Sequence, residues 1–145
     1  MDQIQEMATE DARKTYSDIV IDHATNPRNL GGMDNADGFA RITGPCGDTM
    51  EIWLRVKDNT IVEIKFMTDG CGTTLATGSM VTELTRAKTT VQALQISQQN
   101  FLDALGGLPD ESKHCALLAA NTLNAAIRNY LALKNEPWKK AYRRY

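Results

Sequence analysis

No run of apolar residues in this sequence approaches the ~18 that a helix needs to cross a bilayer. A membrane-spanning helix is therefore not expected. The opening MDQIQEMATEDARK is acidic. It lacks the apolar core of a signal peptide and the Arg-rich, acid-poor bias of a transit peptide, which points to the cytoplasm. Charge of one sign is also lacking: 16 Lys and Arg stand against 18 Asp and Glu, for a net charge of −2. Bulk electrostatics thus gives no pull toward nucleic acid. Cysteine is scarce and odd in number, with 3 among 145 residues. An odd count without an export signal argues against a disulfide framework, and the absence of any C-x-x-C pair argues against a zinc finger. No repeat, low-complexity stretch or linker divides the chain.

What is present is ordinary for a globular protein, with 42% apolar and 23% charged residues. Residues 1–145 read as one domain with a real core. Residues 1–13 are expected to fray. Residues 137–145 form a basic tail, read as a solvated end or, alternatively, as a small docking patch for an acidic partner.

Periodicity outlines the elements. Tyr16, Ile19, Val20, His23 and Ala24 form a helical stripe that Asn26-Pro27 ends. His23 reads as a core or interface histidine and Tyr16 as packing. Three extended segments follow: GFARIT, then MEIWLRV with Met50, Ile52, Leu54 and Val56 on one face, then IVEIKFM with Val62, Ile64 and Phe66 on one face. KDNT between the last two reads as a hairpin turn. Trp53 falls on the polar face of its strand. Beyond Thr73 the pattern is helical, with Leu75, Ser79, Met80, Leu84 and Ala87 toward one side. A short helix around QQNFLDAL ends at Gly106-Gly107. A last, long helix carries the stripe Cys115, Leu118, Ala119, Leu123, Ala126, Ile127, Tyr130 and Leu131, ending before Pro137. Strands first and helices after predict an α+β fold: a small antiparallel three-stranded sheet with helices packed on one face.

Each cysteine falls at a boundary between elements. Cys46 lies between Gly44 and Gly47 in the turn joining the first two strands, two positions before Asp48. Cys71 lies between Gly70 and Gly72 where the third strand gives way to a helix. Cys115 opens the last helix, with Ser112 as its expected N-cap. Thiolates at helix N-termini have lowered pKa values, and Lys113 and His114 are expected to push Cys115 the same way. Cys46, Cys71, Cys115, Asp48 and His114 could meet at one end of the sheet. Spacing alone leaves three readings open: buried inert thiols, a thiol nucleophile, or metal ligands.

The segments YSDIVIDHATNPRNLG, GPCGDTMEI, DGCGTTLATGSMVTEL and HCALLAANTLNAAI resemble, in order and spacing, the NifU/IscU-type iron–sulfur cluster assembly scaffolds. The likeness spans residues 16–131. It implies that a [2Fe-2S] cluster is built here from ferrous iron and passed to apo-proteins, with Cys46, Cys71 and Cys115 as thiolate ligands. Asp48 and His114 would compete for the fourth position. It further implies a cysteine desulfurase partner with Cys115 as persulfide acceptor, a ferredoxin as electron donor, self-association through the N-terminal segment, and Zn2+ as an occupant of the apo site. The chain would then be a carrier and not an enzyme. Against this stands a structural or regulatory zinc-binding module, whose site would combine the three cysteines with a histidine or an aspartate. The resemblance is incomplete at LPDES, residues 108–112, where the family subgroup served by a specialised Hsp70 chaperone carries Leu-Pro-Pro-Val-Lys. Asp110 and Glu111 in place of the second proline and the valine, with Ser112 in place of the lysine, argue against that chaperone as a partner.

Overall fold

The computed structural model describes residues 16–136 and Trp138. The acidic opening, and the basic tail apart from Trp138, lie outside the described residues. Five helices and three strands follow in the order α1 (Asp18–Thr25), β1 (Gly38–Thr43), β2 (Thr49–Lys57), β3 (Thr60–Thr68), α2 (Gly72–Thr85), α3 (Thr90–Leu94), α4 (Gln98–Ala104) and α5 (Lys113–Asn135), with a 3-10 turn Asp110–Ser112 before α5. The strands form one antiparallel sheet in the order β1-β2-β3. The expected α+β architecture is the one the chain adopts.

The β2–β3 hairpin turns at Asp58 and Asn59, which take positive φ values of 54° and 62°, as a two-residue turn of the right twist demands. Immediately after it the register shifts: Val56 faces Ile61 while Arg55 faces Glu63. Val62 has no partner across the ladder and bulges. This corrects the face expected for β3. Ile61, Ile64 and Phe66 are buried, and Val62 is 42% exposed. The extra residue inverts the alternation at that point.

The inner sheet face (Met50, Ile52, Leu54, Ile61, Ile64, Phe66) packs on Leu118, Ala119, Leu123, Ala126 and Ile127 of α5 and on Val81 of α2. Helix α5 crosses β1 and β2, and α2 lies against β3. Gly78 permits the close approach of α2, since a Cβ there would meet the Phe66 ring at 2.4 Å. Helix α1 packs on α2, where Val20 and Ala24 join Ala76, Met80, Leu102, Leu105, Leu108 and Ala116 in a second cluster. Ser17 caps α1 by accepting from the Val20 amide at 3.1 Å, and Ile21, not Ile19, turns inward.

Helix α2 is not the amphipathic helix expected. It is buried on nearly every side, between the sheet, α1 and α5. Its small residues allow this, because the buried hydroxyls of Thr77, Thr82 and Thr85 donate to the carbonyls of Thr73, Ser79 and Val81 in their own helix. Trp53 does lie on the outer sheet face, but it is only 9% exposed. Its ring stands 5.2 Å from that of Phe39, with Gly32 of the α1–β1 connection close over it. Arg55 holds that connection down by donating to the carbonyls of Asp34 and Asn35.

Candidate functional site

The site forms where three connections meet at one end of the sheet. The β1–β2 turn closes on its own backbone: the Gly44 amide donates to the Asp48 carbonyl at 2.8 Å, and the Gly47 amide to the Gly44 carbonyl at 3.0 Å. Gly47 sits at φ +91°, a conformation that favours glycine. The Asp48 carboxylate is not needed to close the turn and reaches across to α2, accepting from the Thr74 hydroxyl at 3.1 Å. The β3–α2 connection is pinned beside it. Asp69 accepts from the Thr49 amide at 2.7 Å, and the Thr68 hydroxyl donates to the Thr49 carbonyl at 2.6 Å. Cys71 then occupies the N-cap position of α2.

Cys46, Asp48 and His114 each offer one ligand atom, all within 4.8 Å of one another. Cys71 and Cys115 form an inner pair in which each thiol is the largest influence on the other's ionisation. Cys46 is exposed, Cys71 half-buried and Cys115 buried. His114 links the two groups, with Nε2 3.6 Å from Cys115 Sγ. Thr74 links them again: its hydroxyl oxygen lies 3.4 Å from Cys115 Sγ and 3.7 Å from Cys71 Sγ. All five side chains expected to converge do so.

The electrostatics differ from expectation at Cys115. The hydrogen bond from Cys115 is the largest influence holding Cys71 well below the usual thiol range; the Thr73 and Thr74 amides at the start of α2 add to it against burial. Cys115 is pushed up by the same bond to Cys71 and then by burial. The pair ionises in two well-separated steps, and the first charge rests on Cys71. The neighbours of Cys115 explain why it is not the thiolate. Lys113 Nζ lies 2.9 Å from Asp110 Oδ1, so its charge is directed away from the site. Ser112 stands at the N-cap position of α5 but makes no capping bond, because it is the last residue of the 3-10 turn and already has helical dihedrals.

Thr74 was not singled out by sequence reasoning. Its signal is positional, since a residue at the third helical position faces back over the N-cap, and here the N-cap is Cys71. A Cβ at Gly70 would lie 2.7 Å from the Thr74 Cβ and Oγ1, so the glycine before Cys71 also leaves room for this side chain. His23 stays away from the site. It sits between α1 and α2 with Nδ1 2.7 Å from the Ser79 hydroxyl.

The sequence profile described as "NifU-like N terminal domain" matches residues 15–137. The chain is 49% identical over 116 residues to the "Iron-sulfur cluster assembly scaffold protein IscU 1" of Archaeoglobus fulgidus, covering 79% of this chain and 76% of that one. It is 40% identical over 120 residues to the "Iron-sulfur cluster assembly scaffold protein IscU" of Escherichia coli, covering 79% and 93%. The crystal structure of a NifU-like N-terminal protein from Brucella abortus superposes with a TM-score of 0.66 at 17% identity, covering 83% and 97%, a likeness of fold.

Proposed function

Because this chain belongs to the NifU-like N-terminal domain family, we propose that it is an iron–sulfur cluster assembly scaffold, a carrier that builds a [2Fe-2S] cluster and gives it to apo-proteins. One observation carries the reading: three thiols, a carboxylate and an imidazole converge at one end of the sheet. Thiolates suit iron bound to sulfide, and the harder oxygen ligand suits ferrous iron before sulfide arrives. The cluster is cargo, so the site must release it as well as hold it. The setting is the cytoplasm, where thiols stay reduced.

In this reading ferrous iron is taken up by Cys46, Asp48 and His114, which lie at the mouth of the site. Sulfur comes from a cysteine desulfurase as a persulfide. Cys115 attacks the outer sulfur, the S–S bond of the donor breaks, and the Cys115 proton goes to the departing donor sulfur, which leaves as a thiol. Each transferred sulfur then needs two electrons to become sulfide, which a ferredoxin supplies. Zn2+ fits the same donor set in the apo protein.

Anaerobic addition of ferrous iron, cysteine and a desulfurase tests the proposal. The chain should develop visible absorption from a cluster that moves to an added apo-ferredoxin. A protein that stays colourless and retains Zn2+ would instead be a zinc-binding module.

A further inference from the structure

The threonines of the helical layer with no solvent exposure at all divide into two kinds. Thr77, Thr82 and Thr85 of α2, and Thr122 of α5, donate their hydroxyl protons to a carbonyl three or four residues earlier in their own helix. Each is thereby satisfied without leaving its helix. Thr74 is fully buried like them, yet its hydroxyl turns out of α2 and into the site, onto Asp48 Oδ2 at 3.1 Å. A hydroxyl has one proton to give, and an ionised carboxylate can only accept. That proton belongs to Asp48. The contacts of Thr74 with Cys115 and Cys71, at 3.4 Å and 3.7 Å, are then packing of the side chain against sulfur.

The consequence falls on how the carboxylate is held. With Oδ2 tied to a buried helix, Asp48 cannot swing freely on its glycine-rich turn, and its carboxylate is kept within reach of Cys46 and His114, with one oxygen in the group they form. We propose that Thr74 is a positioning residue for Asp48: its hydroxyl clamps one carboxylate oxygen to α2 and so presents the carboxylate as a single-oxygen ligand to a divalent metal ion shared with Cys46 and His114. This rests on the scaffold reading. It adds that the hard corner of the site is held by a side chain that never touches the metal. Partners that fix ligating carboxylates in this way typically contribute 10–100-fold to metal affinity.

Thr74→Val removes the hydroxyl and keeps the shape. Co2+ serves as a spectroscopic probe, titrated anaerobically into apo protein. Wild type and Thr74→Ser should bind alike, with sulfur-to-cobalt absorption and the visible bands of a tetrahedral ion. Thr74→Val should bind about tenfold more weakly. In an Asp48→Ala background, Thr74→Val should change nothing further, because the group it positions is gone. Should the valine variant fail to fold, judged by circular dichroism of the apo protein, Thr74→Ala against Thr74→Ser makes the same comparison. Equal Co2+ affinity in the variant and wild type overturns the role of Thr74 alone. An equal loss in the Asp48→Ala background also overturns it, since the effect would then be general packing. A wild-type protein that takes up no Co2+ through its thiolates overturns the scaffold reading together with it.

Discussion

Cys71 and Cys115 show how little a residue's immediate sequence neighbours say about its charge. Lys113 and His114 adjoin Cys115 in the chain, and both looked like thiolate stabilisers. In the fold Lys113 pairs with Asp110, and Cys115 is buried against a thiol that takes the charge instead. Cys71 gains from position: it starts α2, where unpaired amides favour an anion. Alkylation of the anaerobic apo protein should therefore modify Cys71 far faster than Cys115, by about tenfold or more near pH 6. The Cys71 rate should stay nearly flat from about pH 6 to 8, because the depressed pKa leaves it ionised throughout that range. A Cys71 rate that falls with acid like that of an ordinary thiol would contradict the assignment. In Cys71→Ser the largest influence raising Cys115 is lost, and alkylation of Cys115 at a given pH, followed by mass spectrometry, should speed up.

Among the elements, α1 is fastened to α2 by a polar contact that acid weakens. Burial lowers the pKa of His23, the Arg28 charge lowers it further, and Asp22 and Glu83 oppose. The Ser79 hydroxyl that meets His23 also accepts from the Arg28 amide at 2.9 Å. A histidine with a depressed folded pKa contributes stability that is full above its unfolded value near 6.5 and is lost as pH falls through the folded one. The urea midpoint of wild type should therefore drop between about pH 7.5 and 5.5 more than that of His23→Gln. The difference between the two proteins isolates His23 from the thiol pair, which titrates in both. Equal slopes would show that His23 is not part of this linkage. The elements also differ in how well the sequence announced them. The strands, the hairpin turn and the α5 stripe were legible because apolar alternation and period agree with burial there. The bulge at Val62 was not, because Val62, Ile64 and Phe66 alternate cleanly in the sequence, and only the slip in the ladder turns Ile61 inward in place of Val62. Helix α2 was misread because Thr, Ser and Gly can fill a core when their hydroxyls are satisfied locally. The five-residue α3 passed unseen, although its capping box at Thr89 and Gln92 is written in KTTVQ.

In the whole molecule, the sheet packs on α5, and at one end Cys46, Asp48 and Cys71 lie on two connections while His114 and Cys115 lie in the first turn of α5. Which side chains would gather was legible from cysteines and glycines at element boundaries. How they are held was not, because the Asp48–Thr74 bond joins residues 26 apart in sequence. That bond bears on why the carboxylate is there. If Asp48 served only to cap its turn, it would be bonded within the turn; the turn is instead closed by backbone amides and Asp69, and the carboxylate faces the metal ligands. A fourth soft ligand would hold a cluster too well, whereas a carboxylate is a poorer match for cluster iron and can be displaced by an incoming ligand. Asp48 is thus proposed to keep the cargo labile. The direct measurement follows the visible absorbance of loaded wild type and loaded Asp48→Ala, first under air and then with an apo-ferredoxin acceptor. The account predicts a longer-lived cluster in Asp48→Ala that transfers more slowly. A cluster that decays faster in Asp48→Ala than in wild type would contradict it.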